Sequence, residues 1–536
     1  MPAKDMQQWL DARKYTPAMM AAAQAALEAV RDGADLSDAV RRNPLPAGGY
    51  VAKHALVAVY RQLVNDGEWD EDPALLARIR MKPVRSLSGV TTVTVLTKPY
   101  PCPGDCIFCP TDVRMPKSYL PDEPGAARAF QNDFDPYLQV KSRLDAYEAV
   151  GHPIDKIELL ILGGTWSAYK RSYQEWFVQR CFDALNGRDS TSLEEAHSWN
   201  VDGEHRNVGL VIETRPDRID PPELAWLRRL GVTKVQLGVQ SLNDEVLLKN
   251  RRGHSAADAL RATSLLRAAG FKIVLHWMPN LLGATPDIDR EDFGRLWDGY
   301  CPDEIKIYPC QLLELAELYQ YWQRGEYRPY TTQELIDLIA DIKPTIPEYC
   351  RVNRVIRDIP SDHVVEGNKR TSLRQDVFEE LRRRGTVCRC VRCREVRGQL
   401  IDAQKLISDD TIYTAANAEE HFMTFLTPDD RIAGFLRLSL PAADAPTVDI
   451  SDLDGAALIR EVHVYGQALA VGTDQKGAAQ HIGLGTQLLQ RAEAIARAAG
   501  FKYLAVISAV GTRRYYAARG FEQRTLYMVK RIADGA

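Results

Sequence analysis

The chain has 536 residues, 45% hydrophobic and 26% charged, a balance that excludes a mainly disordered or collagen-like protein. At roughly 150 residues per domain this length predicts three to four domains. Basic residues number 68 and acidic ones 72, for a formal net charge of −4, so nucleic-acid binding would require a local basic patch. Apolar runs such as 55–60 are too short to cross a bilayer, and the first residues lack a basic stretch followed by an apolar core. A cytoplasmic protein with no membrane partner is expected.

The fold class expected is α/β. Residues 1–77 read as helical, from the Ala-rich stretch 21–26 and the periodic Leu56, Val59 and Leu63, with Pro44 and Pro46 breaking the pattern. Between 78 and 350, strands at 90–96, 156–162, 208–212, 234–239, 272–276 and 305–308 alternate with helices such as 222–230 and 257–269. That alternation predicts parallel β/α units, a barrel or part of one, with ligands at the C-terminal strand ends. Residues 351–400 read as a basic linker: 351–397 holds 13 Lys and Arg against 7 Asp and Glu, a surplus of six. Residues 401–536 predict an α+β domain, with a strand around His463, a Gly-punctuated turn at 480–485 opening a helix, and a strand at 503–507.

Six of the ten cysteines fall into two tight groups, a usage that points to metal in a reducing compartment. Cys102, Cys106 and Cys109 follow the first strand. Four thiolates fill a cubane iron–sulfur cluster, so three would leave one iron open to an outside ligand. A zinc knuckle with a distant fourth ligand is the competing reading. The second group is Cys388, Cys390 and Cys393. Structural zinc takes four ligands. Cys310, just after the sixth strand, is the expected fourth and would staple the linker to the barrel. A second iron–sulfur cluster or free thiols are the alternatives.

Other candidates sit at strand ends. Gly163, Gly164 and Thr165 follow the second strand, Glu213 the third and Gln240 the fourth; glycines there let backbone carbonyls approach a ligand. In the last domain, Gln480 and the turn Gly483-Leu484-Gly485-Thr486 precede an amphipathic helix, a local pattern suited to a pyrophosphate. Glu461-Val462-His463-Val464 reads as a strand able to pair its backbone with an extended amide, and Tyr515-Tyr516 follow downstream.

The cysteine triplet with its strand-end motifs resembles the radical S-adenosylmethionine (SAM) superfamily, and the C-terminal order resembles GNAT acetyltransferases. Together they resemble the catalytic subunit of Elongator and its stand-alone bacterial and archaeal homologues, over roughly 80–536. The resemblance implies a 4Fe–4S cluster on Cys102, Cys106 and Cys109, and SAM near Gly163, Gly164, Thr165, Glu213 and Gln240. It places acetyl-CoA on Lys156, Glu461 to Val464, Gln480, Gly483 to Thr486 and Tyr516, with Lys156, Tyr515 and Tyr516 as catalytic candidates. The implied activity is carboxymethylation of carbon 5 of the wobble uridine in the tRNA anticodon stem-loop. A SAM-derived radical would take a hydrogen from the acetyl methyl of acetyl-CoA. RNA contacts are expected from Arg78, Arg80, Lys82 and Arg85, and from Arg351, Arg354, Arg357, Lys369, Arg370 and Arg374. The protein would act alone or as a homo-oligomer. A protein lysine acetyltransferase with a structural iron–sulfur domain and an RNA-binding scaffold are the rival functions.

Overall fold

The structure is a computed structural model describing residues 15–81, 86, 88–397, 401–465 and 483–533. Lys82, Arg85, Gln480 and the loop 466–479 lie outside the described residues.

Four helices, Pro17–Arg31, Leu36–Arg42, Lys53–Asn65 and Pro73–Ile79, open the described chain. They share a small core of their own in which Leu27, Val30, Leu56, Val59 and Leu63 are buried. Arg78 donates to the carbonyls of Val30 and Ala34, and Arg80 to the carbonyl of Gly151. These two guanidiniums therefore tie the helical segment together and to the next domain, while Arg78 remains exposed.

A seven-stranded parallel sheet follows: β1 (Thr91–Leu96), β2 (Lys156–Leu162), β3 (Arg206–Thr214), β4 (Lys234–Gln240), β5 (Lys272–Trp277), β6 (Glu304–Ile307) and β7 (Arg351–Arg354). Their spatial order is their chain order, and β1 and β7 are the two edges, so the sheet curls into a partial barrel. Helices between the strands begin on side-chain caps; Ser255 with Asp258 and Thr331 with Glu334 form capping boxes. The seventh strand corrects the expected boundary at 350/351. Arg351–Arg354 pairs with β6, and the helix Leu373–Arg383 packs on the helix Thr332–Ile342, so the start of the supposed linker is barrel.

The second sheet runs β13 (Glu522–Gln523), β14 (Met528–Arg531), β12 (Tyr503–Val506), β11 (Ala456–Val464), β10 (Ile432–Pro441), β9 (Ala418–Leu426), β8 (Ile407–Ala415). All neighbours are antiparallel except β11 and β12. Their pairing ends at Ile459 opposite Val506, while β11 runs on to Val464. Beyond that point the two strands part, and among the described residues β12 does not pair with Glu461, Val462 or His463.

This sheet docks on the N-terminal ends of the barrel strands. Arg460 on β11 grips Asp303, just before β6, through two hydrogen bonds of 2.6 and 2.7 Å, and also reaches Glu420 on β9. Arg437 on β10 lies 3.5 Å from the same Asp303. All four side chains are buried. One hydrophobic core is continuous from the barrel to the second sheet.

Candidate active site

The cysteine loop lies over the C-terminal ends of β1 to β4. The Cys102 thiol is 3.5 Å from the Thr165 hydroxyl after β2. Cys106 is buried, 3.4 Å from Arg252 Nη1. A hydrogen bond with Cys109 and, against the opposing effect of burial, the guanidiniums of Arg252 and Arg215 bring the Cys106 thiol down to about 5. That favours the thiolate, the form that binds iron. Two buried nitrogens beside it, Arg215 Nη1 and Arg252 Nε, lack a hydrogen-bond partner, as does Gln240 Oε1. Three thiols in a cationic setting, ringed by unsatisfied polar atoms, fit an anionic thiolate cluster with a polar ligand. Arg215 belongs to the strand-end run 213–217 that the sequence marks out; Arg252 escaped the sequence reading, its only signal being its place downstream of the fourth strand.

Gly163 and Gly164 both have positive φ, +126° and +77°. A Cβ on Gly163 would collide with the Thr97 hydroxyl, which instead donates to the Gly163 carbonyl at 3.0 Å. Gly163→Ala is expected to cost about 1–3 kcal/mol of local strain and to weaken SAM binding; a calorimetric titration returning wild-type SAM affinity would refute this role. Glu213 faces the lumen 3.6 Å from His276 Nδ1. Burial raises its carboxyl pKa, with Lys306, Arg357 and Arg252 opposing.

The acetyl-CoA candidates gather at the other end of the barrel. Lys156 opens β2 in register with Arg206, whose stem would lie 2.6 Å from a Cβ on Gly511 in the second sheet's domain. Lys156 is thus at the seam between domains, and burial lowers its ammonium pKa. Glu461 accepts from Lys272 at 2.5 Å and Arg437 at 3.0 Å. His463 is stacked on Phe435, its Nε2 buried without a partner, and burial brings it down to about 4. Gly483 caps the helix Leu484–Ala498 with φ +75°. The Tyr515 hydroxyl lies against Gly485, while Arg519 holds Thr486 at 3.0 Å. Tyr516 is buried and borders the cavity described next; Tyr515 is partly exposed and does not line it.

One cavity of about 1010 Å³ joins the two ends. Its walls include Cys102 and Cys109, Thr165, Glu213 and Gln240 at the mouth, and Glu461, Val462, His463 and Tyr516 at the floor. Between them, lumen-facing residues of β2 to β7 line a passage as long as a strand, roughly 20 Å for seven residues.

Residues 100–293 match the Radical SAM superfamily, 302–383 the Radical SAM C-terminal domain and 392–521 the acetyltransferase (GNAT) family. A tRNA uridine(34) acetyltransferase of Methanocaldococcus infernus is 41% identical over 483 residues, covering 86% of this chain and 89% of that one. Elongator complex protein 3 of Homo sapiens is 33% identical, covering 85% and 87%. The chain belongs to the Elongator complex protein 3 family. The solved archaeal Methanocaldococcus infernus Elp3 with an N-terminal deletion superposes with a TM-score of 0.73 at 38% identity, over 83% of this chain and 99% of that one. This family member is an acyltransferase whose radical SAM domain takes a 4Fe–4S cluster and SAM and whose GNAT domain takes acetyl-CoA. No helix among the described residues is long and apolar enough to cross a membrane.

In this family member the second cysteine group is assembled: the sulfurs of Cys388, Cys390 and Cys393 lie within 4.8 Å of one another. Hydrogen bonds from Cys388 and Cys393 hold the Cys390 thiol down despite burial, aided by Lys343. Lys343 is fully buried with its ammonium unpartnered by hydrogen bonds. Three thiols within reach of one ion fit zinc, which takes a fourth ligand beyond these three. Cys310 does not join them. Its thiol packs with Cys106 and Tyr327 past the C-terminal end of β6, and burial pushes it up to about 12. The cysteine group instead sits at the start of β7, where the Val391 N–H donates to the Cys350 carbonyl. Metal analysis is expected to find zinc undiminished in Cys310→Ser and lost from Cys393→Ser; zinc loss in the former would restore the sequence expectation.

The basic segment is neutralised by acids distant in sequence. Arg351 pairs with Glu395 at 2.9 Å, Arg357 with Glu123 at 2.8 Å, Arg384 with Asp337 and Asp341, and Arg394 with Glu348 and Asp430. Arg374 donates to the carbonyls of Val352 and Asn353. Arg351, Arg357 and Arg374 therefore have structural partners, while Lys369 and Arg370 are exposed and Arg354, paired with Asp358, is partly so.

Proposed function

We propose that this chain carboxymethylates carbon 5 of uridine 34 of tRNA in the cytoplasm, using acetyl-CoA and SAM. The observation that carries the reading is the one cavity bordered by both Cys102 and Cys109 of the cysteine triplet and the GNAT strand β11. Cys102, Cys106 and Cys109 would hold the cluster, and Gly163 to Thr165, Glu213 and Gln240 the SAM. Bound together, cluster and SAM supply a radical able to take hydrogen from an unactivated methyl. The strand Glu461–Val464 would run beside the amides of the pantetheine arm, and the Gly483 turn would meet the pyrophosphate. Burial keeps the Tyr516 hydroxyl protonated, so it holds a proton for the departing thiolate. The neutral His463 offers Nε2 to the water that cleaves the thioester. The wobble base lies in a single-stranded loop, where it can be splayed into the mouth. Exposed Lys369 and Arg370, with the partly exposed Arg354, would be offered to the phosphates. A lysine acetyltransferase would present its thioester to an outside peptide, whereas Glu461, His463 and Tyr516 border the lumen.

The test is mass spectrometry of tRNA nucleosides after anaerobic incubation with SAM, acetyl-CoA and reductant. A carboxymethyl mass increment on uridine 34 is expected. Unaltered uridine with cluster-loaded enzyme would sink the proposal.

A further inference from the structure

The charges inside the barrel form two layers that differ in how they are balanced. At the floor, each lysine has carboxylate partners. Lys234 is 2.6 Å from Glu158 and 3.7 Å from Glu304, and Lys272 is 2.6 Å from Glu304 and 2.5 Å from Glu461. One layer higher, Lys306 on β6 is in register with His276 on β5, and Gln236 on β4 with Glu213 on β3. Lys306, His276 and Gln236 are all more than nine-tenths buried, and all line the cavity. The Lys306 ammonium donates to Gln236 Oε1, which also lies 2.9 Å from His276 Nε2. Among the described residues, no carboxylate lies within 4.0 Å of this ammonium. An ammonium has three donors, and a buried charge without a carboxylate in contact is costly; the carboxylate of this layer, Glu213, lies 3.6 Å from His276 instead. His276 adds no charge, since burial holds its pKa well below the ordinary value, with Lys306 contributing.

We propose that Lys306, with Gln236 and His276, forms a binding station for a small carboxylate midway along the barrel lumen. The ligand would be of acetate size, placing a carboxylate in contact with the ammonium, which Glu213, beside His276 in the same layer, does not reach. Two sources share this chemistry: acetate released by thioester cleavage, and the carboxymethyl group on the modified base. The second source rests on the tRNA-modification reading; the first does not.

Equilibrium dialysis of the cluster-loaded protein against [14C]acetate tests the station without turnover. Wild type is expected to retain the label saturably, Lys306→Met to lose it at least tenfold, and Lys306→Arg to keep most of it. Acetamide, with the same shape and no charge, is expected not to displace it. This control needs only wild-type protein, so the test survives if the methionine variant fails to fold. Displacement by 5-carboxymethyluridine assigns the station to the product, and no displacement assigns it to free acetate. Failure of wild type to retain the label, equal retention by folded Lys306→Met, or displacement by acetamide overturns the proposal. Displacement by SAM alone also overturns it, because Lys306 would then serve the cofactor's carboxylate. None of these results bears on the nucleoside mass measurement, so the two readings fail separately.

Discussion

Cys106→Ser is expected to abolish tRNA modification, by roughly 10³-fold or more, the scale on which removing an essential catalytic group falls. The Cys106 thiol lies 3.4 Å from Arg252 and, with the hydrogen bond from Cys109, is brought down to about 5. A serine hydroxyl remains protonated there and is a poor ligand for iron. The GNAT floor lies at the far end of the barrel and shares no residue with the cysteine loop, so acetyl-CoA hydrolysis in the presence of tRNA is expected to persist in the variant. Nucleoside mass spectrometry, thioester release and iron content on one preparation separate these effects. Modified uridine in the iron-free variant would exclude the radical account, and joint loss of both activities with a normal melting curve would contradict the division of labour between the two ends.

The second large effect is at the domain seam. Asp303 is fully buried, accepts from Arg460 at 2.6 and 2.7 Å and from the Ile273 N–H at 2.8 Å, and lies 3.5 Å from Arg437. Asp303→Asn would leave two buried guanidiniums short of charge, and removing one partner of such a group costs about 3–5 kcal/mol. The melting temperature is expected to fall clearly in calorimetry. The pH dependence has a definite sign. Burial alone would raise the Asp303 carboxyl, but Arg460 and Arg437 outweigh it and hold the folded-state pKa below the ordinary value. Its contribution is therefore present above the unfolded-state value of about 4 and is lost as pH falls below it toward the folded-state value. Wild type should lose stability through that acid window more steeply than Asp303→Asn. Parallel acid limbs would show that the pair contributes nothing measurable.

Much of the catalytic end was readable from residue order. The three-and-two spacing of Cys102, Cys106 and Cys109, the glycine pair after β2 and the polar residues ending β3 and β4 sit on local backbone signals, and Cys102, Cys109, Gly164, Glu213 and Gln240 among them line one cavity. The strands with apolar runs, such as Lys156–Leu162, were legible because every second residue is buried in the core and the residues between them are mostly apolar as well. Strand β7 was missed because Arg351-Val-Asn-Arg looks like charged surface. Its polar side chains face a lumen lined with charge, where the rule that charges point outward is inverted. Cys310 was misassigned for a related reason. It stands close to β7 in the sheet order but at the opposite end of the strands from Cys350 and the second cysteine group.

Sequence alone determined the chemistry available: three thiols in a loop, a glycine turn before a helix, a tyrosine pair, and the alternation that makes parallel strands. Those features depend on neighbours a few residues apart. Only the tertiary structure decided that Cys102, Cys109 and the GNAT strand open into one lumen, that the apparent surplus of basic charge is spent on acids such as Glu123 and Asp430, and that the Lys306 ammonium meets Gln236. Such pairings join side chains up to hundreds of positions apart, and electrostatic balance is a property of distance in space, which the order of residues does not record.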